Sequence, residues 1–130
     1  MRPALYVAAM VATTIVGTAS RAHAGGVLTT GPLQRSQVPF VCRIANVGTD
    51  ELAVLIETVD FGGNVASATT INGIPPGASR FSGVEADTAT TQLYCRFTLL
   101  KGSKSKVRAL ACVHSGTTTL SPCLATDVAR

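Results

Sequence analysis

FVCRIANVGTDELAVLIETVD, residues 40–60, contains two alternating apolar segments separated by a polar loop. In the first, Phe40, Cys42 and Ile44 fall on one face and Val41, Arg43 and Ala45 on the other, the period of two that a half-buried strand requires. The second repeats the pattern, with Leu52, Val54 and Ile56 inward and Glu57 outward. The loop between them, NVGTDE, carries Asn46, Gly48 and Asp50, residues that favour reversals, and it predicts an antiparallel hairpin.

Downstream, Asp60-Phe61-Gly62-Gly63-Asn64 is a second turn, because paired glycines supply the positive φ of a tight reversal. Residues 65–71 return as a strand. Asn72-Gly73 and Pro75-Pro76-Gly77 follow, and two prolines this close exclude a central strand there, since proline cannot donate to a ladder. A strand over 78–84 follows, and any helix is confined to a turn at 85–88. The run TQLYCRFTLL, residues 91–100, sets Leu93, Cys95, Phe97 and Leu99 against Tyr94, Arg96 and Thr98. After the solvated turn KGSKSK, VRALACVH leads back. Pairing Leu100 with Val107 would bring Phe97 opposite Leu110 and Cys95 opposite Cys112, both cysteines on the core face. One last strand is expected at 117–120.

Working upstream, residues 25–38 hold one short strand, 27–30, as an arm or edge ahead of the main domain at 39–130. No segment keeps an apolar spacing of three and four residues, and no internal repeat occurs. About seven short strands with regular turn signals describe an all-β, antiparallel β-sandwich.

Residues 1–24 have the order of a signal peptide: Arg2, the apolar run ALYVAAMVATTIVG, and the small-x-small sequence Ala22-His23-Ala24. The apolar run is too short for an ordinary membrane span. Cleavage after Ala24 would lower Lys plus Arg from 11 to 9, leave Asp plus Glu at 7, and reduce the net charge from +4 to +2. The remaining length suits one domain, which buries roughly 60 to 70% of its unfolded surface.

Cys42, Cys95, Cys112 and Cys123 are an even set in an exported chain and read as two disulfides. Cys42 with Cys95 would join the two strong segments across the sandwich, and Cys112 with Cys123 would hold the tail. The strand register also allows Cys95 with Cys112, leaving Cys42 for Cys123. On the chain-entropy account the longer loop contributes about 4 kcal/mol and the shorter about 3 kcal/mol.

CRIANVGTDELAVLIETVD, followed by GGNV and IPPGASRF, resembles the bacterial extracellular immunoglobulin-like modules, including the adhesion-related type. The resemblance covers about half of the expected mature chain. It implies an immunoglobulin-like sandwich, which a bridge between Cys42 and Cys95 would suit. Two departures stand out: there is no Trp to pack on that bridge, and Tyr94 precedes Cys95 by one residue where a tyrosine corner has two. No functional residues carry over.

Catalytic and metal patterns are sparse. His114 is the one histidine after residue 24, and neighbouring Ser115 would point to the opposite strand face, a poor arrangement of nucleophile and base. A strand-end histidine with its ring at the surface is the expectation. No two cysteines lie two to four residues apart, so neither a zinc motif nor a CxxC redox motif is present, and no metal or cofactor is expected. Asp50, Glu51, Asp60, Glu85 and Asp87 fit no calcium-loop motif and read as turn-capping groups. Lys101, Lys104 and Lys106 crowd one turn, with Arg108 next, and Arg43 and Arg96 project outward. Such a turn attracts anions, and it also protects a hairpin from edge pairing. With Tyr94 alone as an outward aromatic nearby, a base-stacking platform is not expected, and neither is nucleic acid as a partner.

The sequence thus predicts an exported, non-catalytic binding or structural module, periplasmic or secreted. Its partner would be a protein or an anionic glycan of the envelope or medium. The alternatives are a small secreted hydrolase using His114 and an exported inhibitor-like protein.

Overall fold

A computed structural model describes residues 25–85, 90–115 and 123–130. The expected signal peptide, the turn at 86–88 with Asp87, and the strand at 117–120 lie outside the described residues.

The described chain forms nine antiparallel strands in two sheets. They are β1 (Val27–Thr29), β2 (Leu33–Ser36), β3 (Phe40–Asn46), β4 (Leu52–Asp60), β5 (Val65–Ile74), β6 (Ser79–Val84), β7 (Thr90–Lys101), β8 (Val107–His114) and β9 (Cys123–Val128). One sheet has the order β1-β7-β4-β5, with β2 also paired to β7; the other has the order β6-β3-β8-β9. The expected all-β sandwich is therefore present, with more strands than the seven read from the sequence. The N-terminal segment is an edge, since Val27 pairs with Thr98 and Leu28 with Phe97.

Two expected hairpins do not form. β3 and β4 lie in different sheets, and so do β7 and β8. Alternation is the reason for both errors. It fixes which side chains face the core, and two strands facing each other across a sandwich satisfy it as well as two neighbours in one sheet. The partner of β8 is β3, with Val41 opposite Cys112 and Phe40 opposite Val113. The core-facing residues of β8 are consequently Val107, Ala109, Ala111 and Val113, and Cys112 lies on the outer face.

The β4–β5 hairpin forms as expected. Its turn is closed by hydrogen bonds from the Asn64 amide to Asp60 Oδ1 at 2.8 Å and from the Gly63 amide to the Asp60 carbonyl at 3.0 Å. Gly63 has φ +85°, which explains why glycine stands there.

Phe40, Cys42, Ile44, Val54, Ile56, Ile74, Cys95 and Phe97 are fully buried between the sheets. Cys42 of β3 and Cys95 of β7 are bonded, with Cα atoms 5.6 Å apart, and fasten one sheet to the other through the core. Thr58, also buried, donates its hydroxyl toward the Cys42 sulfur at 3.4 Å. A second bridge, Cys112–Cys123, joins neighbouring strands β8 and β9. No cysteine is free, which fits an oxidising compartment. Thr29 and Arg130 exchange two backbone hydrogen bonds of 3.1 Å, holding the β1 edge to the end of the β9 segment. No helix of the described residues is long and apolar enough to cross a membrane.

Candidate functional site

Asn46 ends β3 and is almost fully buried. Its amide Nδ2 donates to the carbonyls of Asp50 at 2.7 Å and Ile74 at 2.8 Å, and its Oδ1 accepts from the Gly48 amide at 2.9 Å. The Asn46 backbone continues the network, donating to Ala78 O and accepting from Gly77 N, each at 2.9 Å. Gly77 has φ +78°, and Ala78 N bonds back to Pro75 O at 3.1 Å, so the Pro-Pro-Gly segment is a tight turn. The Val47 amide donates to Lys106 O at 2.9 Å, attaching the lysine turn to the same centre. Asn46 and Val47 together therefore join three loops from both sheets and hold 46–51 as a crossover between sheets.

These loops border a cleft of about 410 Å³. Gly48, Thr49, Asp50 and Glu51 line it on one side, and Lys101, Gly102, Ser103 and Lys106 on the other, with Leu52 and Leu100 between. The structure brings Lys101 and Lys106 of the predicted basic turn to this cleft, where Lys101 Nζ lies 4.0 Å from Glu51 Oε1. Both partners of that pair are largely exposed, so its contribution to stability is small. Lys104 and Arg108 lie outside the cleft. The Lys104 side chain passes over Gly26 so closely that a Cβ there would meet its Cε. Arg108 pairs with Ala45 on the outer face of the β3–β8 ladder, where Arg43 is also placed, its guanidinium 5.9 Å from the Phe81 ring centre. All five cations are exposed; Lys101 and Lys106 line the cleft, and Arg108 and Arg43 lie on that sheet face.

At the other end of β4, Phe61, Tyr94, Pro32, Thr29 and Thr30 surround an open groove of about 430 Å³. Phe61 is 78% exposed. Tyr94 pairs with Val59 there, so it does not accompany the lysine turn. Asp60, in the adjoining turn, accepts hydrogen bonds from Asn64 that stabilise its ionised form and lower its pKa, as a capping group should.

On the outer face of the sheet containing β4, Glu57 and Arg96 face each other across the ladder and form two hydrogen bonds, Nε to Oε2 at 2.7 Å and Nη2 to Oε1 at 3.0 Å. The bidentate Arg96 hydrogen bond holds the Glu57 pKa below its ordinary value and raises that of Arg96.

Two buried polar side chains escaped the sequence reading. Arg35 on β2 is 3% exposed and donates from Nη1 to the carbonyls of Val38 at 3.2 Å and Glu85 at 2.9 Å. His114 is 2% exposed, contrary to the surface ring expected. It shares the outer face of β8 with Cys112, and its Nε2 lies 3.5 Å from Cys112 Sγ. The ligating atoms of Cys112, His114 and Cys123 all lie within 4.8 Å of one another. The i, i+2 spacing of Cys112 and His114 on a strand was the available signal; the approach of Cys123 depends on a register shift between Val113 and His114 in the β8–β9 pairing.

No family model matches the chain, and no curated protein or solved structure matches it.

Proposed function

We propose that this chain is an exported, non-catalytic immunoglobulin-like module that binds an anionic glycan of the envelope or medium, with the Asn46-centred cleft as its binding end. The observation that carries this reading is the set of exposed cations gathered at this end: Lys101 and Lys106 line the cleft, Lys104 belongs to the same turn, and Arg108 and Arg43 lie on the adjoining sheet face. Clustered positive charge concentrates anionic ligands near a surface and accelerates their encounter. The Asn46 hydrogen bonds support the second half of the reading: loops fixed before binding lose less conformational freedom when a ligand arrives.

The test is retention on a heparin column at low ionic strength. Wild-type protein should be retained and should elute as salt screens the charges. The triple variant Lys101→Glu, Lys104→Glu, Lys106→Glu should pass through. Equal retention of both proteins would end the proposal.

A further inference from the structure

The geometry points to Cys112, His114 and Cys123 as a redox-gated binding site for a thiophilic divalent cation of the zinc class. In the oxidised protein the two sulfurs are bonded to each other and cannot coordinate a cation as thiolates. The ring beside them is already placed. A tetrahedral zinc ion with Zn–S near 2.3 Å and Zn–N near 2.0 to 2.1 Å holds a sulfur and a nitrogen ligand about 3.5 Å apart. His114 Nε2 and Cys112 Sγ stand 3.5 Å apart. Because Cys112 Sγ carries no hydrogen in the disulfide, a hydrogen bond between the two can have only Nε2–H as its donor; coordination instead needs Nε2 unprotonated, with its lone pair toward the cation.

Burial makes the gate selective. Cys42 and Cys95 are wholly inaccessible, whereas Cys123 is exposed and Cys112 sits behind it at 1% exposure. A small thiol reductant therefore attacks the Cys123 sulfur, forming a mixed disulfide and releasing Cys112 as the thiolate. A second reductant thiol attacks the mixed disulfide and releases Cys123. Two reductant thiols become one disulfide, and their two electrons end on the two protein sulfurs. The cation then takes two thiolates and one neutral imidazole, with a fourth position left for water or an exchangeable ligand. Both cysteines and the histidine come from adjacent strands β8 and β9, so the Cys42–Cys95 bridge and the core remain as they were.

The experiment is a native-state reduction with a limiting small thiol, removal of excess reductant without oxygen, and titration with Co2+ as the probe. Wild type should lose only the Cys112–Cys123 bridge, as seen by alkylation and mass mapping. It should then show the thiolate-to-cobalt charge-transfer absorption and the intense visible bands of a tetrahedral site, all absent from the oxidised protein. Zn2+ should bleach these bands and shield both thiols from alkylation. His114→Gln should weaken Co2+ binding at least about tenfold, since losing a ligand costs no less than losing an outer-shell partner. Should the reduced chain unfold, Zn2+ would have to restore the β-sheet circular dichroism of wild type more effectively than that of His114→Gln. Equal Co2+ affinity of the two reduced proteins, or no charge-transfer band in wild type, would overturn the proposal.

Discussion

Asn46 and Ile74 are 28 residues apart in the chain, yet the Asn46 side-chain amide donates a buried hydrogen bond of 2.8 Å to the Ile74 carbonyl. Ile74 ends β5 in one sheet and Asn46 ends β3 in the other, so this bond ties the two layers together at the loop end. Replacing Asn46 with Ala removes three side-chain hydrogen bonds and leaves buried backbone groups unpaired. The expected loss is about 2 to 3 kcal/mol, measured as a lower urea midpoint with an unchanged slope.

The two disulfides should differ in worth. Cys42–Cys95 closes a separation of 53 residues and Cys112–Cys123 one of 11. Chain entropy assigns them about 4 and about 3 kcal/mol. The paired substitution Cys42→Ala, Cys95→Ala also opens space in the core beside Thr58, so it should destabilise more than Cys112→Ala, Cys123→Ala. Denaturant titration of the two variants gives the order directly.

Acid should weaken the fold through Glu57. Its pKa in the folded protein lies below the ordinary value because Arg96 binds the ionised form. That contribution is complete above the unfolded pKa of about 4.5 and is lost as pH falls through the folded value. Glu57→Gln should therefore lower stability near neutrality, where the ionised pair is complete, and flatten the acid limb, so that the two proteins converge at low pH. An NMR titration of the Glu57 carboxyl carbon checks the direction of the shift.

Gly83 is required by close approach between backbones. It pairs with Val41, and a Cβ built on it would run into the Phe40 carbonyl oxygen and lie 2.9 Å from Val41 Cα. Gly83→Ala should force β6 away from β3 and cost about 1 to 3 kcal/mol, as overpacking does. Faster amide exchange in β6 than in β8 would locate the damage.

The inward residues of β3, β4 and β7 were legible in the sequence because a two-residue period is a local property of the chain. Sheet membership was not, since Phe40, Cys42 and Ile44 would face the core whether β4 lay beside them or across from them. Alternation places Cys42 and Cys95 inward on strong strands, as their bond requires, but it places Cys112 inward as well and so leaves a Cys95–Cys112 bridge open. The burial of His114 and Arg35 had no comparable local signal. His114 is packed at the β8–β9 ladder, and β9 contains too little alternation to be read as a strand; Arg35 lies on β2, a four-residue element in a polar stretch. The lysines of the turn were evident, but the meeting of Lys101 and Lys106 with Asp50 and Glu51 arises from two crossovers between sheets that alternation does not encode.

The most direct measurement is a two-dimensional amide NMR titration of the oxidised protein with a heparin-derived tetrasaccharide. The proposed function predicts saturable shift changes concentrated at residues 47–52 and 100–108, diminishing with added salt. Shifts confined to the groove of Phe61 and Tyr94, or none at saturating ligand, would contradict it.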